Sequence, residues 1–125
     1  MTGKSFKDEF SLEKRKAESE NLMSKYPNRI GIIVEQEKSN NSVIPPIDKR
    51  KYAVYNDMKF SSFMNVIRNR LKLSPEIALI FFVNGSNILT GNQIMSEIYN
   101  QYKDEDGFIY IKYTGENTFG QSTLL

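Results

Sequence analysis

The sequence predicts an α+β fold in which one mixed sheet is crossed by helices and preceded by a separate helical segment. Three observations predict it. Short β-branched runs alternate with segments of helical periodicity, the last run closes the ordered part of the chain, and the first 26 residues carry charge rather than a strand pattern. The chain has 125 residues, enough for a single modest core. Its hydrophobic content of 39% and charged content of 26% are those of a globular domain.

The elements follow in order. A short turn over Ser5 to Glu9 leads to a helix from Leu12 to about Lys25, with Ser11 placed to cap it, Glu13 in its first turn and Lys25 in its last. Leu12, Leu22, Met23 and Tyr26 form a thin apolar stripe, as expected for a helix laid on a body. Pro27 disfavours helical geometry at Tyr26 and ends the segment. Arg29–Glu35 is dense in β-branched residues and reads as a strand, with Ile30, Ile32 and Val34 on one face. Residues 36–42 are polar loop, continued by Pro45-Pro46, and Lys51–Tyr55 is a second strand able to pair with the first.

Phe60, Phe63, Met64, Ile67 and Leu71 recur at helical spacing over Phe60–Leu71, and Ser74-Pro75 closes that helix. Ala78–Val83 is a continuous apolar run, expected as a strand buried on both faces. Asn84-Gly85 suits a tight turn into a brief strand near Asn87-Ile88. Thr90 and Gln93 have capping-box spacing for a last helix reaching Tyr102, with Ile94, Met95, Ile98, Tyr99 and Tyr102 inward. Asp104–Gly107 turns the chain, and Phe108–Tyr113 is the closing strand. Behind the leading helix, the order β-β-α-β-β-α-β matches a β-grasp arrangement with the first and last strands parallel at the centre.

Composition narrows the function. There is no Cys and no His, which removes disulfides, thiolate zinc sites, thiol nucleophiles and imidazole bases. No enzyme is expected, and no cofactor. A net charge of +2 is too small to argue for nucleic acid as a primary partner; Lys49, Arg50, Lys51, Arg68, Arg70 and Lys72 are the residues such binding would use. Asp104-Glu105-Asp106 reads as a solvated turn rather than a metal site, because one short segment supplies all the carboxylates. No secretory segment, no apolar run of roughly 18 residues and no myristoylation or prenylation motif is visible, so the expectation is a cytoplasmic chain.

Several stretches carry more specific information. They are Glu13-Lys14-Arg15, Lys25-Tyr26-Pro27-Asn28-Arg29-Ile30, Ile33-Val34-Glu35, Asp48-Lys49-Arg50-Lys51-Tyr52, Phe82-Val83-Asn84, Met95-Ser96-Glu97-Ile98-Tyr99, Lys103–Tyr110 and Thr118-Phe119-Gly120. In this order they resemble the autophagy-related ubiquitin-like modifiers, the family of the GABA-A-receptor-associated protein and the microtubule-associated light chain. The resemblance covers roughly residues 5 to 120 and implies a ubiquitin-like β-grasp with an added N-terminal helical segment. It divides the chain into a packed helical extension (1–27), the β-grasp core (28–114), a conjugation tail (115–120) and a propeptide (121–125).

It also implies a mechanism. An autophagy cysteine protease would cut after Phe119-Gly120, with Phe119 filling a pocket of the protease. Ubiquitin-like activating and conjugating enzymes would then join Gly120 to the amine of phosphatidylethanolamine. Without a Cβ, glycine threads narrow active sites and leaves its carbonyl open to attack. The lipidated form would sit on autophagosome and related vesicle membranes.

The family further implies a groove for cargo receptors bearing aromatic-x-x-aliphatic peptides, laid along the second strand by β-augmentation. By position, Glu18, Leu22, Lys49, Lys51, Ala53 and Phe108 would form the aromatic pocket. Tyr52, Val54, Tyr55, Met58, Phe63, Val66, Ile67 and Arg70 would form the aliphatic one. Phe63 and Ile67 also sit on the helical stripe and have a core role open to them; Lys49-Arg50-Lys51 could equally protect a sheet edge. The sequence departs from the family pattern at Leu12, Gly31, Ala53 and Tyr55. The alternative to conjugation is a non-conjugated adaptor using the same groove in vesicle trafficking or microtubule attachment.

Overall fold

A computed structural model describes residues 4–37 and 44–115. Its elements are α1 (Phe6–Glu9), α2 (Leu12–Lys25), β1 (Arg29–Gln36), β2 (Lys51–Tyr55), α3 (Phe60–Leu71), β3 (Leu79–Val83), β4 (Asn87–Ile88), α4 (Met95–Tyr102) and β5 (Ile109–Gly115). The strands form one sheet in the order β2-β1-β5-β3-β4. β1 and β5 pair in parallel and the other pairs are antiparallel. This is the β-grasp with N-terminal helices that the sequence predicts.

Period-two alternation splits the sheet into two unlike faces. Ile30, Ile32 and Val34 of β1 and Tyr52 and Val54 of β2 join Ile109, Ile111 and Tyr113 of β5 against α3 and α4. Phe60, Phe63, Ile67, Met95 and Ile98 of those helices are fully buried there. The Phe63 ring meets Tyr52 edge-on at 5.6 Å, and Phe60 meets Phe81 at 5.4 Å. The packing is apolar, and burying each of these side chains contributes about 1.5–3 kcal/mol.

The opposite face is covered by α1 and α2. Phe6, Ile33 and Phe108 form a small cluster there with Phe10, Leu22 and Tyr110 around it. The expected stripe of α2 does not drive this packing: Met23 and Tyr26 are exposed, and the buried residues of the helix are Arg15 and Ser19. Arg15 donates to Asp106 at 2.7 Å and to the Phe10 carbonyl at 3.1 Å. Asp106 also accepts from the Phe108 backbone N–H and the Tyr110 hydroxyl. The 104–107 turn is solvated only in part: Glu105 is exposed as its charge suggests, whereas Asp106 is 2% exposed and anchors the N-terminal helices. Gly107 adopts φ +95°, and a Cβ there would lie 2.2 Å from the Ser19 hydroxyl, so both backbone and space require glycine.

Several boundaries differ from the sequence reading, and β1 runs on to Gln36 while β5 spans Ile109–Gly115. α4 begins at Met95, because Gln93 turns back to accept from Thr90 N–H while Glu97 accepts from Ile94 N–H and caps the helix. The apolar run ending at Val83 lies between β5 and β4, leaving Ala78 exposed and β5 as the central strand.

Candidate functional site

β2 is an edge strand, and its register determines which backbone groups remain open. Val34 N–H donates to the Arg50 carbonyl at 2.8 Å, and Asn56 N–H to the Asn28 carbonyl at 2.9 Å. These frame the pairs Ile32↔Tyr52 and Ile30↔Val54, so the even-numbered residues of β2 spend their backbone groups on β1. Lys51, Ala53 and Tyr55 alternate with them and direct theirs outward. Among the described residues, the Tyr55 carbonyl is taken up by a turn, accepting from Met58 N–H at 3.1 Å. An incoming extended chain would meet a ready hydrogen-bonding edge.

Side chains flank that edge on both faces. On the α2 face Gly31 and Ala53 are cross-strand partners, making a floor of minimal bulk. Leu22 borders it from α2, and Lys51 pairs with Glu18 across its mouth. Phe108 is fully buried here instead of forming an open wall: its ring lies against Gly31, and Phe6 meets it edge-on at 5.7 Å. A Cβ at Gly31 would approach that ring to 2.7 Å, so the glycine leaves the space that Phe108 fills. Lys49 is exposed, its ammonium 5.3 Å from the Tyr52 ring centre.

On the α3 face Tyr52, Val54, Phe63 and Ile67 belong to the core, with Phe63 and Ile67 fully buried. Met58 is partly buried against them, while Val66 is 41% exposed. Arg70 closes this side through two hydrogen bonds to the Asp48 carboxylate, at 2.8 and 3.2 Å. The Arg70 hydrogen bond holds Asp48 below the usual carboxylate range. Burial pushes the Tyr52 hydroxyl up, and it donates to the Lys49 carbonyl at 2.6 Å.

Tyr55 requires a correction. Strand alternation turns it away from Val54 and Met58 to the α2 face, where it stands 52% exposed. Its ring covers the Arg29 guanidinium at 4.6 Å, and Tyr26 covers the same group at 5.0 Å. Arg29 was not among the residues singled out in the sequence, although its place one strand from Tyr55 follows once register is known. The basic triplet is also partly spent: Arg50 pairs with Glu9 at 2.5 Å and Lys51 with Glu18. Phe119 and Gly120 lie outside the described residues.

The arrangement suits a peptide whose two anchors are three positions apart. In an extended chain such residues point to opposite faces, and the two groups of flanking side chains lie on opposite faces of the sheet. A separate cavity of about 710 Å3 opens beyond the start of β2, between α1 and residues 46–50. Its lining mixes Asp8, Glu9, Glu35 and Glu37 with Lys4, Arg50 and Lys112, and it coincides with neither pocket. No helix among the described residues is long and apolar enough to cross a membrane.

Comparison with known proteins adds a lineage to this geometry. The family described as autophagy protein Atg8, ubiquitin-like, matches residues 14–120. Autophagy-related protein 8 of Mycosarcoma maydis is 52% identical over 93% of this chain and 96% of that protein. Autophagy-related protein 8d of Arabidopsis thaliana is 50% identical over 96% of this chain and 98% of its own. Among solved structures, Trypanosoma brucei ATG8 superposes with a TM-score of 0.83 at 37% identity, covering 95% of this chain and all of that one. Plasmodium falciparum Atg8, solved in complex with a P. falciparum Atg3 peptide, gives 0.79 at 33% identity, over 89% of this chain and 95% of that one.

Proposed function

The chain belongs to the Atg8 family of ubiquitin-like autophagy proteins, and on that footing we propose that it is a non-catalytic modifier joined through Gly120 to phosphatidylethanolamine. In this reading a cysteine protease removes residues 121–125 by hydrolysis. An activating enzyme adenylates the new carboxylate with ATP, releasing pyrophosphate, and an enzyme thiol displaces AMP to give a thioester. The lipid amine then attacks that carbonyl, the amide forms and the thiol of the conjugating enzyme leaves. Two acyl chains then hold the protein on autophagosomal membrane, where one chain, at about 0.8 kcal/mol per buried methylene, binds only marginally. The match to the family reaching Gly120 supports this placement of the reactive glycine.

The same protein acts as an adaptor. Cargo receptors add an aromatic-x-x-aliphatic strand to the β2 edge, the aromatic residue entering beside Leu22 and Ala53 and the aliphatic one beside Val54, Met58 and Val66. The outward backbone groups of Lys51 and Ala53 are the single observation that carries this part. A peptide seated on the Plasmodium relative supports peptide docking as a property of this fold, and the conjugating enzyme is a fitting partner for the edge.

The deciding measurement is the intact mass of the full chain after incubation with a matched autophagy protease and the conjugation enzymes. Loss of residues 121–125, followed by a phosphatidylethanolamine adduct that vanishes in Gly120→Ala, is the expected result. A chain that stays at full length and still docks peptides would replace this reading with the non-conjugated adaptor.

A further inference from the structure

The chain has no cysteine, so methionine supplies its only sulfur, and its five methionines differ in access to solvent. Met95 is wholly excluded from water, and Met58 and Met64 are partly buried against the core. Met23, in the last turn of α2, is 39% exposed. Met1 lies outside the described residues. Access governs how readily a side-chain sulfur meets a soluble oxidant, which makes Met23 the reactive one among the described methionines.

Its sulfur also has a neighbour able to register a change. The Tyr99 hydroxyl of α4 lies 3.8 Å from Met23 Sδ and donates to the Gly107 carbonyl at 2.8 Å. Burial pushes that hydroxyl up, so it keeps its proton and remains a donor. One proton faces two acceptors, and a thioether is the weaker of them, so the bond belongs to Gly107. Gly107 lies close against Ser19 of α2 and follows Asp106, which holds Arg15. Tyr99 therefore braces the turn on which α2 is seated, and Met23 is placed to compete for that brace.

We propose that Met23 is a redox-modified site: hydrogen peroxide converts it to the sulfoxide, whose oxygen draws the Tyr99 hydroxyl from the Gly107 carbonyl and loosens α2. A sulfur lone pair attacks one peroxide oxygen, the O–O bond breaks and the S–O bond forms. Sulfur gives up two electrons and the peroxide is reduced. The proton on the attacked oxygen passes to the departing hydroxide, which leaves as water. Sulfoxide reductases reverse the change, the oxygen leaving as water while two thiols of the reductase system become a disulfide. The sulfoxide is polar where the thioether was apolar, and its oxygen is the stronger acceptor. The inference stands apart from the β2 groove and from conjugation at Gly120.

The test treats the full chain with hydrogen peroxide, locates oxidation by peptide mass mapping and then measures amide hydrogen exchange. Met23 is expected to oxidise at least about tenfold faster than Met95. Protection factors of α2 amides should fall while those of α3 hold, and treatment with methionine sulfoxide reductases should restore them. Met23→Leu should keep its α2 protection through the same peroxide treatment. Tyr99→Phe, with no hydroxyl to be drawn away, should oxidise at Met23 without further loss of protection. Thermal melting before treatment confirms that each variant folds; if Tyr99→Phe does not, Met23→Leu decides alone. Oxidation of Met23 no faster than that of Met95, unchanged α2 protection in the oxidised chain, or an equal loss in Met23→Leu overturns the assignment.

Discussion

The two faces of the sheet are built on different physics. The α3–α4 face is a continuous apolar core in which Phe60, Phe63, Ile67, Met95 and Ile98 are wholly excluded from water. The α1–α2 face has a small aromatic cluster, and its longer helix is held by a buried Arg15–Asp106 pair. Burial of the first kind is non-directional and tolerant of small displacements. A charge pair of the second kind depends on partners and geometry. One face therefore secures the fold, while the other positions a helix beside the docking edge by a few oriented contacts.

Removing a core ring should break the first face most. Phe63→Ala is expected to cost about 4 kcal/mol by emptying a fully buried site, read as a lower denaturant midpoint of one cooperative transition. If loss of Phe63 freed only the N-terminal helices, the division between the faces would be wrong.

Arg15→Ala should cost about 3 kcal/mol, since it strands a buried carboxylate. The distinguishing readout is amide hydrogen exchange. Protection should fall across α1 and α2 while the amides of α3 remain slow. Uniform loss of protection would mean that the two faces unfold as one.

A smaller effect, about 1–2 kcal/mol, is expected for Gly31→Ala, whose Cβ would press on the Phe108 ring. Pairing it with Phe108→Leu should give less than the sum of the two single losses. Strict additivity would show that the ring is not what Gly31 accommodates.

The gentlest probe is pH. Burial pushes Asp104 up, but hydrogen bonds from Lys7 and the Asp106 backbone, with the charges of Lys7 and Arg15, hold it below the usual carboxylate range. Its contribution is present above the unfolded value of about 3.9 and is lost as pH falls through the lower folded one. Tyr110 has the opposite sign. Burial and its hydrogen bond to Asp106 raise it, so its contribution holds below about pH 10 and is lost as pH climbs. The protection factors of α2 amides should therefore fall below about pH 4, ahead of those in α3. Simultaneous loss on both faces would blunt the contrast.

The same contrast explains what was legible in the sequence. Phe60, Phe63, Ile67 and Leu71 announce their face because apolar side chains at helical spacing are their own signal. The hairpin and closing strand were visible for the same reason. Arg15 and Asp106 gave no such sign: 91 positions apart and both charged, they look like solvated residues until the fold joins them. The pockets are placed by family resemblance alone, which gives no sign that Phe108 is buried against Gly31. Tyr55 was assigned to the wrong face by that route, where strand alternation would have placed it with Lys51 and Ala53. Arg29 needed both alternation and cross-strand register, because its plates come from α2's end and from β2.

The central place of β5 has a mechanical side. Its hydrogen bonds run to β1 in parallel and to β3 on its other flank. A pull on the chain beyond Gly115, resisted by a load gripping β2, would drag β5 lengthwise past both neighbours. Bonds stressed in that shear geometry share the force, whereas those of a hairpin peeled from its end yield one after another. A domain tethered by its last strand and loaded at its opposite edge would thus meet traction along its stiffest direction, while the N-terminal helices stay outside the line of force.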